Sequence, residues 1–336
     1  MTVATPVLSR GPWATAFRRL LRDRAALAAL GVFLLILLAC LLAPFYAQWA
    51  GVQPFKSTLD AVISVDGVDR PVMELPTEGL ALGYTPIGPT WTFGSYFLGA
   101  DNQGRDVMAR LLYGGLNSFA IAGAATVFTL TFATLIGLVA GFFGGIIDMV
   151  LSRILDVLWA FPVYLLGISL SIVMITQGIT IGPIVIDSSS VWLPIFIIGL
   201  IYIPYVARPI RGQVMALRNS DFVMASIGLG APPSRILVKD ILPNISTTLI
   251  VFIPIMMALN MLTESALSFL SIGVQPPDAS WGTIIQDGQT LLYTRPVVAL
   301  APGFMIVASV LSLNVFGDGL RDALDPKSKI KLRRGA

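Results

Sequence analysis

Six long apolar stretches constrain this chain more than any other feature of its sequence. They cover residues 25–49, 118–144, 154–176, 192–210, 245–270 and 296–317, and three of them contain no charged residue. Each is close to or above the ~20 residues that an α-helix needs to cross a bilayer. Because an open strand leaves backbone groups unpaired in lipid, we interpret all six as helices. The sequence therefore predicts an all-α, polytopic membrane protein with six transmembrane helices.

The composition excludes several other classes of protein. Hydrophobic residues make up 55% of the chain and charged residues 12%, about half the ~25% charged fraction of soluble domains. The chain has no histidine, which excludes a Ser-His-Asp triad and histidine metal ligation. Cys40 is the single cysteine, so no intrachain disulfide can form. The net charge of +3 is too small to indicate a nucleic-acid partner.

The distribution of Lys and Arg predicts the orientation in the membrane. With the N-terminus in the cytoplasm, 17 of the 22 Lys and Arg residues lie on cytoplasmic segments and 5 on external ones. The positive-inside rule therefore places both termini in the cytoplasm. The predicted parts are a cytoplasmic tail (1–24), a first transmembrane helix (25–49), an extracytoplasmic loop (50–97), a membrane core with five further helices (98–320) and a basic cytoplasmic tail (321–336).

The extracytoplasmic loop contains a hairpin signal. Two runs with strand propensity, 62–65 and 68–72, flank the dipeptide Asp66-Gly67, which favours a tight turn between paired strands. Pro71 cannot donate a ladder hydrogen bond, so the second strand is expected at a sheet edge. We predict a β-hairpin here and assign the loop no function.

The most informative cytoplasmic segment is residues 218–244, between the fourth and fifth spans. Ser220 or Asp221 is expected to cap a short helix that Gly230 ends, and Ser234 is expected to cap a second helix. Small side chains stand beside larger apolar ones on the first helix, which suits docking in a cleft of another protein. A helical connector packed on its own bundle is the alternative.

The chain contains no nucleotide-binding loop. A Walker A motif needs a Gly-Lys pair so that backbone amides and the lysine cradle phosphate. None of the five lysines follows a glycine. ATP is therefore not expected to bind to this chain.

A spaced pattern in the same cytoplasmic segment resembles that of binding-protein-dependent ABC importer permeases. The family pattern is E-A-A, three residues, G, nine residues, then I-x-L-P, and its positions are held here by Met224, Ala225, Ser226, Gly230, Leu242 and Pro243. Met224 replaces the usual acidic residue, Ser226 replaces the second Ala, and Asp240 replaces the Ile.

Four further groups of segments, in matching order and spacing, resemble the second permease subunit of dipeptide, oligopeptide and nickel importers. They are 98–106 with 110–114 and 117–118; 153–156 with 161–162; 264–273 with 275–277 and 281–282; and 302–303 with 314 and 317–326.

This resemblance implies a non-catalytic subunit with a type I ABC importer permease-like bundle, in the plasma (inner) membrane of a prokaryote. ATP and Mg²⁺ would be bound by partner ATPases, with no cofactor in this chain. The implied partners are a homologous permease subunit, two ATPase subunits and an extracytoplasmic solute-binding protein. Dipeptides or oligopeptides are the expected substrates, with nickel chelates, glutathione or oligosaccharides as alternatives. An ion-gradient-driven secondary transporter is the alternative from a different class.

The resemblance also implies where partners dock. The expected ATPase-coupling residues are Asp221, Phe222, Ala225, Ser226, Gly230 and Ala231. The expected binding-protein docking residues lie in the last external loop and are Gln275, Pro276, Pro277 and Trp281. Because tryptophan is also a common anchor at the membrane interface, Trp281 has an alternative role.

Two features inside the spans have open interpretations. Glu264, with Asn260 and Thr263, is either a gate or pathway residue or a buried hydrogen-bonding strut, since an intramembrane carboxylate usually faces the bundle or a wet cavity. Glycines recur at every fourth residue at 137, 141 and 145. This spacing favours close helix packing over a gating hinge.

Overall fold

The computed structural model describes residues 12–65, 67–75, 83–177, 179–181, 184–186 and 191–325. The α-helices are α1 (Pro12–Leu20), α2 (Arg24–Leu41), α3 (Ala43–Ala50), α4 (Val107–Phe143), α5 (Gly145–Ala160), α6 (Val163–Gln177), α7 (Trp192–Ile201), α8 (Ile203–Arg218), α9 (Asp221–Gly228), α10 (Pro233–Arg235), α11 (Leu242–Phe269), α12 (Trp281–Gly288) and α13 (Val297–Leu324). The strands form three antiparallel pairs, β1 (Val62–Val65) with β2 (Val68–Pro71), β3 (Met73–Glu74) with β4 (Thr85–Pro86), and β5 (Ile179–Ile181) with β6 (Ile184–Ile186).

Four helices in the described part of the chain are long and apolar enough to cross a membrane alone. They are α2, α4, α13 and a continuous helix in which α10 runs through π-helical turns (Ile236–Ile241) into α11. Two bent pairs, α5 with α6 and α7 with α8, meet the same criterion only when taken together. The predicted helical membrane bundle is thus confirmed, whereas the count of six spans stays a prediction.

Two of the predicted spans consist of two helices that meet at a sharp bend. The span predicted over 154–176 breaks at Phe161, which is extended (φ −88°, ψ 138°) because the following proline disfavours helical geometry. As a result, α5 and α6 meet at 91°. The span predicted over 192–210 bends by 44° at the junction of α7 and α8, where Pro204 stands in the first turn of α8. The prediction of one helix per span was wrong at both places.

The other span boundaries also shift. The first predicted span is divided at Leu42, where Pro44 in the first turn of α3 starts a new helix. α4 begins well before the predicted residue 118 because the Asp106 carboxylate caps it, accepting from the Ala109 N–H at 2.7 Å. α13 continues past the predicted core boundary at residue 320 to Leu324. The remainder of the predicted C-terminal tail, from 326 onward, lies outside the described residues.

α4 packs closely against α8 through two of the three spaced glycines. A β-carbon at Gly137 would lie 2.7 Å from Ile210 Cγ2, and one at Gly141 would lie 2.7 Å from Val214 Cβ. Neither site has room for a side chain, so the prediction of close packing is confirmed for these two. A β-carbon at Gly145 would meet nothing within 4 Å, and this glycine instead begins α5.

The two ends of the described chain lie at the same end of the bundle. Arg19 Nη1 donates to the Asp325 carbonyl at 3.3 Å, and a β-carbon at Gly319 would lie 2.4 Å from Ala26 Cβ. Gly317 in α13 faces Pro254 in the first half of α11, so the loop that precedes α11 lies at this end too. The described residues of the segment 51–106 lie with α12 at the opposite end.

The predicted hairpin in the 50–97 loop is confirmed. β1 and β2 pair in antiparallel register, with Val62 opposite Pro71 and Val65 opposite Val68. A small apolar core holds the rest of this loop together, made by Val72, Ile87, Tyr96 and Ala100. The three strand pairs are additions to the otherwise helical fold.

Candidate functional site

The first candidate site is the α8–α10 loop at the end of the bundle that holds the chain ends. Ser220 precedes α9 in extended geometry (ψ 150°), but its hydroxyl donates back to the Leu217 carbonyl at 2.5 Å instead of capping the helix. Gly230 follows the helix in the left-handed region, with φ +76°. The Ala231 N–H then donates to the Ser226 carbonyl at 3.1 Å. The prediction that Gly230 ends a short helix is confirmed.

The predicted second helix of this loop does not stand alone. Pro232 is the extended residue that precedes α10. Ser234 lies inside α10, and its side chain does not cap the helix. The helix that starts at Pro233 continues without a break to Phe269. The first turn of a helix tolerates proline, because the backbone N–H that proline lacks would have no partner within the helix at that position. A second helix is present as predicted, but the prediction that Ser234 caps it was wrong, because Pro232 holds the cap position.

α9 is attached to the bundle by one residue and exposes the rest of its apolar surface. Val223 is completely buried in the main core. The large apolar side chains around it are exposed, namely Phe222 (44%), Met224 (57%), Ile227 (45%) and Leu229 (88%). We call these four residues with Asp221, Ala225, Ser226, Gly230 and Ala231 the α9 surface. Ser226 and Ala231 are half-buried, and Asp221, Ala225 and Gly230 are exposed.

The second candidate site is a buried polar centre around Glu264 in α11. Glu264 is 0% exposed. Its carboxylate accepts hydrogen bonds from the hydroxyls of Ser118 at 2.9 Å and Ser268 at 2.7 Å. The Ser118 oxygen in turn accepts from the Trp281 backbone N–H at 3.1 Å. These bonds join α4, α11 and α12 at one point of the bundle.

Asn260 and Thr263 are fully buried beside Glu264 but make separate contacts. Asn260 Nδ2 donates to Thr126 Oγ1 at 3.0 Å, and its Oδ1 has no hydrogen-bond partner among the described residues. Thr263 Oγ1 lies 2.8 Å from the Tyr202 hydroxyl. Together, these contacts link α11 to α4 and to the α7–α8 bend.

The predicted docking residues of the last external loop separate into two groups. Pro276 and Pro277 are exposed and Gln275 is half-buried. Trp281 is 0% exposed, packs edge-on against Phe119 at 5.2 Å and donates from Nε1 to the Leu111 carbonyl at 2.9 Å. Its prediction as a docking residue was wrong, because the first residue of α12 faces the core and not the outside.

A buried ion-pair cluster lies at the same end of the molecule, and sequence reasoning missed it. Asp287 Oδ2 accepts from Arg105 Nη2 at 2.9 Å and from Arg110 Nη2 at 2.8 Å. Arg105 Nε also donates to Asp101 Oδ2 at 2.7 Å. Burial raises the pKa of the Asp287 carboxyl, while the two guanidinium groups act in the opposite direction. The cluster therefore attaches the residues at the start of α4 to α12.

Asp106 lies next to this cluster and has a different environment. It accepts backbone N–H groups from Ala109 and Tyr96 but forms no ion pair with the nearby arginines. Burial raises its pKa to about 6, although the backbone hydrogen bonds oppose the shift. Among the described residues, no group of three or more Asp, Glu and Cys side chains could hold a metal ion.

Comparison with known proteins identifies the family. Residues 133–330, more than half of the chain, match the family described as binding-protein-dependent transport system inner membrane component. The chain belongs to this family. Residues 11–58 of the permease match the N-terminal transmembrane domain of oligopeptide transport permease C. The predicted family is thus confirmed, as is the prediction of a non-catalytic transport subunit, and the ion-gradient-driven alternative is not favoured.

Relatives of the permease match it over nearly their whole length. The dipeptide transport system permease protein DppC of Alkalihalophilus pseudofirmus is 31% identical over 95% of this chain and 91% of its own length. The oligopeptide transport system permease protein OppC of Haemophilus influenzae is 31% identical over 95% of this chain and 90% of its own length. The glutathione transport system permease protein GsiD of Pectobacterium atrosepticum is 32% identical over 95% of this chain and 93% of its own length.

A solved structure supports the fold of the permease. A chain of the MetNI methionine ABC transporter in an inward-facing conformation superposes with a TM-score of 0.51 and 18% identity. The match covers 65% of this chain and 97% of that chain. This likeness confirms the predicted type I importer permease-like bundle.

Proposed function

We propose that this permease forms half of the translocation pathway of an ATP-driven importer of dipeptides or oligopeptides in a prokaryotic inner membrane. It would pair with a homologous permease, receive substrate from an extracytoplasmic binding protein, and couple to two ATPase subunits that carry ATP and Mg²⁺. The relatives that match 95% of the chain, which include dipeptide and oligopeptide permeases, support the substrate class.

The single observation that carries the coupling role is the unpartnered α9 surface. Four large apolar side chains are exposed on a helix of eight residues that one buried valine attaches to the bundle. Exposed apolar patches of this kind mark sites of protein association. A groove in one of the two ATPases would cover the α9 surface. Closure of the ATPase pair would then move α9 and, through α8 and α11, the bundle.

Transport measurements test the substrate class. The permease is reconstituted with its partner permease, ATPases and binding protein, and uptake of a labelled dipeptide and a labelled pentapeptide is followed with and without ATP. ATP-dependent uptake of either peptide supports the proposal. Competition by glutathione tests a second candidate, which the 32% identical glutathione permease favours. Uptake of glutathione with no uptake of either peptide would replace the proposed substrate.

The orientation can be tested with single cysteines, and we expect opposite labelling at the two ends of the bundle. Ser64→Cys in β1 and Ser234→Cys in α10 place thiols at exposed positions, in a Cys40→Ala background. A membrane-impermeant maleimide should label residue 64 in intact cells and residue 234 only after permeabilisation. Labelling of residue 234 from outside would reverse the orientation and place the α9 surface on the wrong side for an ATPase.

For Glu264 we propose the role of a strut, supported by its complete burial and its serine partners. Glu264→Gln keeps one oxygen that accepts from one of the two serines, and its NH2 group can donate to the other hydroxyl once that hydroxyl turns its proton away, so transport should remain near normal. Glu264→Ala leaves two buried hydroxyls without an acceptor at about 1–3 kcal/mol each, and should lower the amount of folded permease. The measurements are uptake and the folded fraction by size-exclusion chromatography. Normal folding with no transport in Glu264→Gln would instead indicate a gate that needs the charge.

A further inference from the structure

The external loop of the permease carries an aromatic tip over residues 91–97. Phe93 is 90% exposed and Trp91 is 64% exposed. Both rings contact half-buried Phe97, with ring centroids 5.5 Å and 5.7 Å away. Trp91 and Tyr96 both adopt positive φ values (54° and 59°), so the chain turns tightly at both ends of this segment.

The tip is held in place and does not hang freely from the loop. Tyr96, at its base, is buried and its backbone N–H donates to the Asp106 carboxylate. On the other side, Arg295 Nε donates to the Pro86 carbonyl at 2.6 Å, and its Nη2 pairs with Glu74 at 3.0 Å. These bonds tie β3 and β4 to the segment just before α13.

A hydrogen bond fixes the tip beside the external end of the first membrane helix. The Tyr46 hydroxyl in α3 donates to the Gly94 carbonyl at 2.8 Å. The 18 residues of α2 span roughly 27 Å at ~1.5 Å per residue, close to the ~30 Å of a hydrocarbon core. α3 therefore begins where the hydrocarbon core ends. Phe45 (69%) and Trp49 (59%) of α3 are exposed just beyond this end of α2.

The chemistry of the tip fits the interfacial region of a bilayer. No charged residue occurs between Glu78 and Asp101, whereas soluble segments carry about 25% charged residues. Tryptophan and tyrosine concentrate at membrane interfaces because their rings have both apolar and polar edges. A solvent-exposed loop would leave this apolar tip in water, and a contact with the bilayer removes that cost.

We propose that residues 91–97 insert into the outer leaflet of the membrane and, together with Trp49, anchor the external loop at the level of the lipid headgroups. The occupant of this surface is lipid. The loop thereby acquires a function that is separate from substrate transfer and from ATPase coupling, namely to hold the external subdomain at a fixed height above the bilayer.

Fluorescence quenching tests the proposal on the purified full-length permease in vesicles of phosphatidylethanolamine and phosphatidylglycerol. In a Cys40→Ala background, an environment-sensitive NBD label is attached to Phe93→Cys. The matched control is Val68→Cys, which replaces another exposed apolar residue (56%) at the tip of the β1–β2 hairpin. Both positions are exposed, so neither change removes a buried side chain.

The label at residue 93 should be quenched by lipids that carry a nitroxide on the headgroup or upper acyl chain, with iodide quenching several-fold weaker than at residue 68. The label at residue 68 should be quenched by iodide and not by nitroxide lipids. Equal iodide access at both positions would overturn the proposal. Protection of residue 93 from both quenchers would also overturn it, because protein would then cover the tip. Trp91→Cys provides a second labelled position with the same expectation.

Discussion

Uptake through the permease is expected to stop when Ala225 is replaced by glutamate or Gly230 by aspartate. Ala225 is exposed on α9, and glutamate is a good helix former, so Ala225→Glu should leave α9 folded while placing a charge among the apolar residues of the α9 surface. A β-carbon at Gly230 would meet nothing within 4 Å, but its φ of +76° costs a side chain roughly 1–2 kcal/mol. A groove that fits the present surface would exclude both variants.

Two measurements separate loss of docking from loss of folding. The amount of permease in the membrane should stay near normal, whereas copurification of the ATPase should fall with uptake. The matched control is Val238→Glu, which adds the same charge at an exposed position (59%) on the π-helical turns after α10, outside the α9 surface. Gly230→Ala separates the backbone strain from the added charge. Normal uptake and ATPase recovery in Ala225→Glu would remove the coupling role of α9.

The sequence predicted the parts of the fold that depend on periodic hydrophobicity and local turn chemistry. Long apolar runs located the membrane helices, Asp66-Gly67 located the β1–β2 hairpin, and Gly230 located the end of α9. These features depend on residues close together in the chain. The breaks at Phe161 and Tyr202 were missed because membrane helices often tolerate proline, so the sequence alone does not show which proline breaks a helix.

Contacts between distant segments account for the other differences. The Glu264 centre needs Ser118, which lies 146 positions earlier in the chain, and the ion-pair cluster joins Arg105 to Asp287 across 182 positions. Trp281 illustrates the same limit, since its place in an external loop suggested exposure while its contact with Leu111 buries it. One available signal was the presence of Arg105 and Arg110 just before a long apolar run, where unpaired charges would be costly.

The Asp101–Arg105–Arg110–Asp287 cluster supplies the prediction with the largest effect on stability. The side chains of Arg105 and Arg110 are 7% and 3% exposed, so their charges are stabilised by the neighbouring carboxylates more than by water. Arg110 is the more dependent on its partners, because its Nη1 is buried without a hydrogen bond to any described residue. Asp101 and Asp287 each contact both guanidinium groups, but only Asp287 brings the contact from α12, so its loss removes the link between α12 and the start of α4.

Asp287→Ala should destabilise the permease, because it leaves Asp101 as the one acidic partner of both guanidinium groups among the described residues. Removing one partner of a fully buried ion pair costs about 3–5 kcal/mol, and the 25% exposure of the Asp287 side chain lowers this cost. The measurement is the melting temperature of the purified protein in detergent, with the folded yield from membranes. Asp278→Ala is the matched control, since Asp278 is an exposed carboxylate in the same external loop and should melt like the wild type. Adding Arg105→Ala to Asp287→Ala removes one of the two guanidinium groups that Asp287 pairs with. The double variant should therefore lose less stability than the sum of the losses in the two single variants. Equal melting temperatures for Asp287→Ala and Asp278→Ala would show that the cluster does not hold α4 on α12.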